Sequence, residues 1–218
     1  LNYKKSFEKI HSNLNAMLGY SWQYLYRSNY SINSNVVMTP DLTDTIDDPT
    51  EYYLLSYYGR VNYTFKDRYL LTVTLRNDNT SRFSKDNRAG WFPSAAFAWK
   101  IDQEKFMSNA NWLSQLKLRL SYGLTGQQNI DRGDYPYLAR YTYNRAGAYY
   151  LLGNVYYRTL RPEGYDENIK WEETTTYNVG FDFGFANDRI YGYLDVYLRE
   201  TKDLLNIVPV PAGTNLTN

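Results

Sequence analysis

The sequence contains no cysteine, a single histidine (His11), no apolar run long enough for a membrane helix, and no excess of either charge. Each absence closes a class of function. Without cysteine there is neither a disulfide framework nor a thiolate metal site. One histidine leaves Ser-His-Asp and Cys-His nucleophile systems, and a histidine-rich zinc site, without their parts. Crossing a bilayer as a helix takes about 20 predominantly apolar residues, and none of the apolar stretches approaches that. Lysine and arginine number 24 against 23 aspartate and glutamate, so the charge balance gives no sign of a nucleic-acid partner. Neither a Walker loop nor a G-x-G-x-x-G run occurs. Gly180, Gly184 and Gly192 are instead spaced along strand-like patterns, where they give room or permit bends.

The acids are as uninformative about catalysis. Asp131 with Asp134 and Glu172 with Glu173 would meet the minimal requirement of a two-carboxylate glycosidase, but acids in polar loops are ordinarily solvated. Asp41, Asp44, Asp47 and Asp48 offer oxygen ligands for Ca²⁺ without the EF-hand spacing, so a plain acidic loop is expected. The chain therefore reads as a non-enzyme, with no catalytic residue, cofactor or metal site.

Aromatic residues are what the chain has in abundance: 25 tyrosines, nine phenylalanines and five tryptophans. Mean hydropathy is nonetheless polar. Disordered chains are aromatic-poor, so an ordered fold is expected. Amphipathic rings in a polar chain suit a surface that straddles apolar and wet zones, and a membrane barrel is one, because only every second strand residue faces lipid.

The patterning is period two. From residue 13, Leu14, Ala16, Leu18, Tyr20 and Trp22 alternate with Asn13, Asn15, Met17, Gly19, Ser21 and Gln23. Comparable alternation recurs over 55–65, 69–76, 93–101, 115–124, 176–185 and 190–199, making seven expected strands of about ten residues. Soluble strands average about 5 to 6 residues and membrane-spanning ones need about 9 to 11, so the lengths favour a barrel over a soluble sandwich.

Connections differ in kind. Lys66-Asp67-Arg68 and Asn187-Asp188-Arg189 read as tight hairpin turns, whereas 25–51, 77–90 and 126–173 are long and polar. Outer-membrane barrels have short periplasmic turns and long outer loops, which places the tight turns in the periplasm. The 102–114 connection is longer than a hairpin and is expected to hold a short helical turn. Tyr63, Phe65 and Tyr69 around the first tight turn, and Phe183 and Phe185 before the second, stand where an aromatic girdle belongs. Seven strands do not close a bacterial barrel, whose strand number is even. Residues 1–218 are thus expected to be an all-β, antiparallel transmembrane barrel fragment with the remaining strands absent, lacking both ends of the parent chain.

Several runs resemble the SusC/RagA class of TonB-dependent outer-membrane transporters. They include Tyr58-Gly59-Arg60-Val61-Asn62-Tyr63, Lys66-Asp67-Arg68-Tyr69-Leu70-Leu71-Thr72, Ser81-Arg82-Phe83, Trp91-Phe92-Pro93-Ser94 and Ser121-Tyr122-Gly123-Leu124-Thr125-Gly126. Lys170-Trp171-Glu172, Tyr177-Asn178-Val179-Gly180 and Thr201-Lys202-Asp203-Leu204-Leu205 follow in order. The resemblance implies a 22-stranded barrel closed by an N-terminal plug domain that is absent from this chain. It also implies active import of large nutrients, usually oligosaccharides and sometimes peptides, across the outer membrane of a Gram-negative bacterium. Expected partners are TonB acting through the missing plug, a SusD-like surface lipoprotein, outer-membrane lipid, and a glycan or peptide ligand, with no nucleic acid. A passive porin and a soluble carbohydrate-binding β-sandwich are the alternatives from other classes.

Within that frame, Arg60, Arg76, Lys100, Arg119, Asp182, Asp195 and Arg199 are expected to face the lumen, contacting the plug more than the solute. Solute-stacking rings are sought among Tyr141, Tyr143, Tyr149, Tyr150, Tyr156, Tyr157 and Trp171, with Tyr149, Tyr150 and Trp171 the named candidates.

Overall fold

The computed structural model describes residues 1–33, 44–110, 112–130, 133–143 and 149–208. Eight strands form one antiparallel sheet: β1 (Asn2–Phe7), β2 (Ser12–Asn33), β3 (Asp44–Phe65), β4 (Tyr69–Thr80), β5 (Ala89–Lys100), β6 (Leu113–Gln127), β11 (Glu172–Phe185) and β12 (Ile190–Lys202). Each is hydrogen-bonded to its neighbour in that order. Two small ribbons lie in the long connection after β6: β7 (Tyr141–Tyr143) with β10 (Leu160–Pro162), and β8 (Tyr149–Leu152) with β9 (Val155–Arg158).

All seven expected strands form, and both tight turns close where the sequence put them. Lys66 and Asp67 take φ of 51° and 53°, and Ala186, Asn187 and Asp188 take 53°, 57° and 60°. Left-handed backbone of this kind matches a tight turn to the right-handed twist of its strands. Two expectations are corrected. Asn2–Phe7 is an eighth strand, unread because Lys4 and Lys5 leave it no clear apolar face. Much of 25–51, expected as loop, is strand, and β2 and β3 pair along all 22 residues of each. β4 joins β3 only from Leu54 onward, so the outer part of the β2–β3 ribbon stands clear of β4. The described side chains of β2 from Tyr24 to Ile32 are exposed on both faces, so the polar–apolar contrast that announces a strand is missing there. The 101–112 connection holds two 3₁₀ turns, Ile101–Gln103 and Lys105–Met107, as its length implied.

Register carries the alternation across the whole sheet. Ala16, Val61, Val73, Ala95, Tyr122, Tyr177 and Leu198 are successive cross-strand partners in one row. The next row, on the opposite face, is Met17, Arg60, Thr74, Ser94, Gly123, Thr176 and Arg199. A slip of one residue in any pair would put a polar side chain in the apolar row, so the pattern fixes the register. The apolar row is open: Val61 is 43% exposed, Tyr177 49% and Leu198 57%. A soluble sandwich would cover that face with a second sheet. Here the buried hydrophobic residues among those described are Phe83, Phe92 and Trp171 alone, gathered at the outer end of the sheet, and the apolar face is left for lipid.

Rings collect at both ends of that face. At the short-turn end Phe65, Tyr69 and Trp99 stack at centroid separations of 6.0 and 6.3 Å, and Trp112 stacks on Phe185 at 5.7 Å. Nearer the outer end Tyr20 meets Tyr57, and Trp22 and Tyr24 both meet Tyr53. Phe65 to Tyr57 is about 27 Å along β3 at a strand's usual rise. Allowing for strand tilt, the span between ring clusters is comparable to the apolar band of about 25 Å in membrane barrels. Glu104 organises the inner girdle: its carboxylate accepts from Tyr69 Oη (2.6 Å), Trp99 Nε1 (3.1 Å) and Arg68 Nη1 (3.2 Å).

At the outer end β5 and β6 pair only over Ser94–Lys100 and then part, and the Phe92 ring fills the opening. Phe92 lies edge-on to Trp171 at 5.2 Å, as does Phe83 at 5.6 Å. A Cβ on Gly126 would collide with the Phe92 ring, so glycine is required there. In the full-length protein Gly126→Ala should lower the unfolding free energy by about 1–3 kcal/mol through overpacking, read as a shifted urea midpoint; an unchanged midpoint would mean the ring is free to move. A second expectation concerns acid. Hydrogen bonds from Tyr69 and Trp99, with the Arg68 guanidinium beside it, hold the Glu104 carboxyl below its ordinary range. With its folded pKa depressed, Glu104 contributes stability that is fully present above about pH 4.3, the unperturbed value, and is lost as the pH falls through the depressed one. Thermal melts of the barrel should show Glu104→Gln below the parent at neutral pH, with the two converging in the acid limb.

Candidate functional site: the polar face and the outer loops

The polar face carries charge that is partly answered within the sheet. Adjacent strands β6, β11 and β12 bring Arg119, Gly180 and Asp195 into one row. Arg119 donates from Nε to Asp182 (2.8 Å) and from Nη2 to Asp195 (3.0 Å), while Lys117 Nζ approaches Asp182 at 3.1 Å. Asn178 Nδ2 donates to the other oxygen of Asp195 at 3.2 Å. Two cations and two anions thus form a neutral cluster, and Gly180 is its floor: a Cβ there would strike the Asp195 carboxylate and crowd the Arg119 guanidinium. On β4, Arg76 holds both oxygens of Asp78 (2.7 and 2.8 Å) and donates to Ser56 (3.0 Å). Arg60 donates to Thr74 at 3.2 Å, and the Arg199 guanidinium sits 5.9 Å from the Tyr197 ring centroid. The residues expected on one face are therefore on one face. These pairs hold one stretch of the face in fixed geometry, while Arg60, Lys100 and Arg199 make no ion pair with a carboxylate among the described residues.

Of the ring candidates, Tyr149 and Tyr150 stand on β8 opposite Arg158 and Tyr157, 51% and 64% exposed. Tyr141, Tyr156 and Tyr157 are exposed as well. Trp171 is placed differently. It is 6% exposed, enclosed by Phe83 and Phe92, and its Nε1 donates to the Arg88 carbonyl at 2.9 Å. It offers a solute no ring face; it closes the end of the long connection instead. Asp131 and Asp41 lie outside the described residues, as do the side chains of Asp44, Asp47 and Asp48, whose backbone forms the start of β3.

What the sequence reading missed is a buried ionic knot. Arg82, in the β4–β5 turn, binds Asp134 through Nη2 at 2.6 Å, with both side chains under a tenth exposed. Its Nη1 donates to Asn129 Oδ1 (3.0 Å) and to the Gln128 carbonyl (3.5 Å), and the guanidinium lies 3.8 Å from the Tyr52 ring centroid. Thr50 Oγ1 donates to the second Asp134 oxygen at 2.7 Å, and Tyr135 Oη donates to the Glu51 carbonyl. Nothing in residue spacing links Arg82 to Asp134. The one available signal was an arginine and a phenylalanine side by side in an otherwise polar turn.

The chain matches the family model described as TonB dependent receptor-like, beta-barrel over residues 2–218. It is 56% identical over 162 residues to the TonB-dependent receptor SusC of Bacteroides thetaiotaomicron, covering 74% of this chain and 16% of that protein. It is 33% identical over 228 residues to TonB-dependent receptor P39 of Formosa agariphila, covering all of this chain and 21% of that one. Among solved structures it superposes on a chain of the RagAB peptide transporter with a TM-score of 0.79 at 30% identity, covering 96% of this chain and 24% of the other. The chain therefore spans about a fifth of the length of these relatives. An exposed apolar row, ring clusters at its two ends and short turns opposite long loops agree with that match and leave no place for a soluble sandwich: this chain belongs to the TonB-dependent receptor β-barrel family, of the SusC/RagA type, and forms part of a Gram-negative outer-membrane barrel.

Proposed function

We propose that the full-length protein actively imports a large nutrient through a plugged barrel, with energy delivered by TonB and a surface lipoprotein assisting capture. The observation that carries this is the double-faced sheet: one face open and apolar, the other polar and charged, with Arg76, Lys117 and Arg119 paired to aspartates within it. A wall of that kind, with part of its charge paired in fixed geometry and Arg60, Lys100 and Arg199 without a carboxylate partner among the described residues, suits a lumen filled by a folded plug whose polar surface can answer those cations. In this reading Arg60, Arg76, Arg119, Asp182 and Asp195 face the lumen and act chiefly on the plug. Tyr149 and Tyr150 are the solute-contacting rings.

Oligosaccharide is the first cargo proposed. Exposed tyrosine faces suit the C–H surfaces of sugar rings, and their hydroxyls suit sugar hydroxyls. Peptide cargo is the second reading, favoured by the structural similarity to the RagAB peptide transporter. Uptake by whole cells of labelled neutral oligosaccharides and of a mixed peptide pool, with and without a functional TonB system, tests both. Import should depend on TonB. Uptake that persisted without it would remove the active-import reading in favour of a passive porin. Replacing Tyr149 and Tyr150 together by alanine should raise the half-saturating concentration by about tenfold, as expected for two stacking rings, and leave the maximal rate nearly unchanged.

A further inference from the structure

The connection from β6 to β11 is the longest of those whose course is described, and its exposed tip bears Tyr149 and Tyr150. Among the described residues, β8 and β9 pair only with each other, and β7 pairs only with β10. Among the described residues the strand pairing of the tip is therefore confined to the connection itself. Its stem is a ribbon: Glu163 N donates to the Arg140 carbonyl at 2.9 Å, Asp166 N donates to the Pro136 carbonyl at 3.1 Å, and Arg140 faces Glu163 across it at 3.9 Å. The root of that ribbon is tied by side chains to the β4–β5 turn.

The root is gripped at both ends by two consecutive residues of the β4–β5 turn. Arg82 takes the outgoing strand of the connection through Asn129, the Gln128 carbonyl and Asp134. Phe83, fully buried, takes the returning strand through Trp171, with Ile130 and Ile169 packed on the same cluster. Thr50 and Tyr52 add β3 to the grip through Asp134 and the Arg82 guanidinium. We propose that Arg82 and Asp134 are positioning residues, a clamp that fixes the stance of the ring-bearing ribbon over the polar face. The fork of Arg82 is what makes the clamp: one guanidinium serves a carboxylate, a side-chain amide and a carbonyl while lying flat on a ring, which a lysine ammonium cannot do. Breaking one partner of a buried pair strands the other charge, so either change releases the root.

The relevance to uptake rests on the proposed solute role of Tyr149 and Tyr150; the clamp itself does not. The test uses the full-length protein in the outer membrane of intact cells, with Arg82→Met, Arg82→Lys and Asp134→Asn, and Lys85→Met as a control on the exposed part of the same turn. Chymotrypsin is the probe, cutting after the tyrosines and leucines of 149–157. Arg82→Met and Asp134→Asn should be cut at least about tenfold faster than the control, with the folded, heat-modifiable barrel band retained. Arg82→Lys, which keeps the charge but loses the fork, should be cut faster as well, and it carries the test should the methionine variant fail to assemble. Arg82→Met combined with Asp134→Leu should be cut no faster than either single change, since the pair is removed as a unit. The half-saturating solute concentration should rise with cleavage while maximal uptake holds within about twofold, a split that general loss of barrel would not produce. Cleavage equal to the control in both Arg82→Met and Asp134→Asn overturns the clamp. Faster cleavage with unchanged half-saturation supports the clamp and removes the solute role of the two tyrosines.

Discussion

Inside a bilayer a strand has no water to bond to, so each backbone N–H and C=O has to be answered by the strand beside it. The rest of the molecule follows from that requirement. It makes the sheet continuous from β1 to β12, and it forbids irregular backbone at membrane depth. It also forces connections to the two ends. Alternation is then the only freedom left, and the chain uses it to give one face to lipid and the other to paired charge. The consequences differ on the two faces. Apolar side chains on one face need no specific partners, whereas Arg119, Asp182 and Asp195 on the other are tied to particular atoms, down to a glycine beneath them.

The ends of the strands solve a different problem. At the short-turn end, rings packed around Glu104 give the boundary a polar anchor with an aromatic skirt. At the other end the sheet opens where β5 leaves β6, and three rings with a buried ion pair beside them close the gap. That small core is the only part of the described chain resembling the interior of a soluble protein. It holds the loops, while the membrane-crossing region has no interior of its own.

Legibility from sequence tracked environment. Strands whose two faces meet different media carry a strong period-two signal, and all seven of these were readable with their tight turns. β1 and the outer halves of β2 and β3 were not, because lysine interrupts the pattern in β1 and both faces of outer β2 are exposed, while β3 pairs with it there. The polar-face residues could be assigned to one side by parity alone. Their pairing could not, since Arg119 reaches Asp182 and Asp195 by strand register, which lies beyond any local window. The reading of Trp171 erred for a related reason. A tryptophan at the end of a tyrosine-rich loop looks like one more exposed ring until Phe83 and Phe92, from another connection, are seen to enclose it.

The overhang of the β2–β3 ribbon has one more consequence. Its outer residues pair with each other, and β4 does not reach them. This arm reaches beyond the strands beside it, and on its β3 side Thr50 and Tyr52 tie its base to the Arg82–Asp134 pair. On its β2 side, where Tyr26, Tyr30 and Ile32 are exposed, the arm is the natural place to graft an epitope tag.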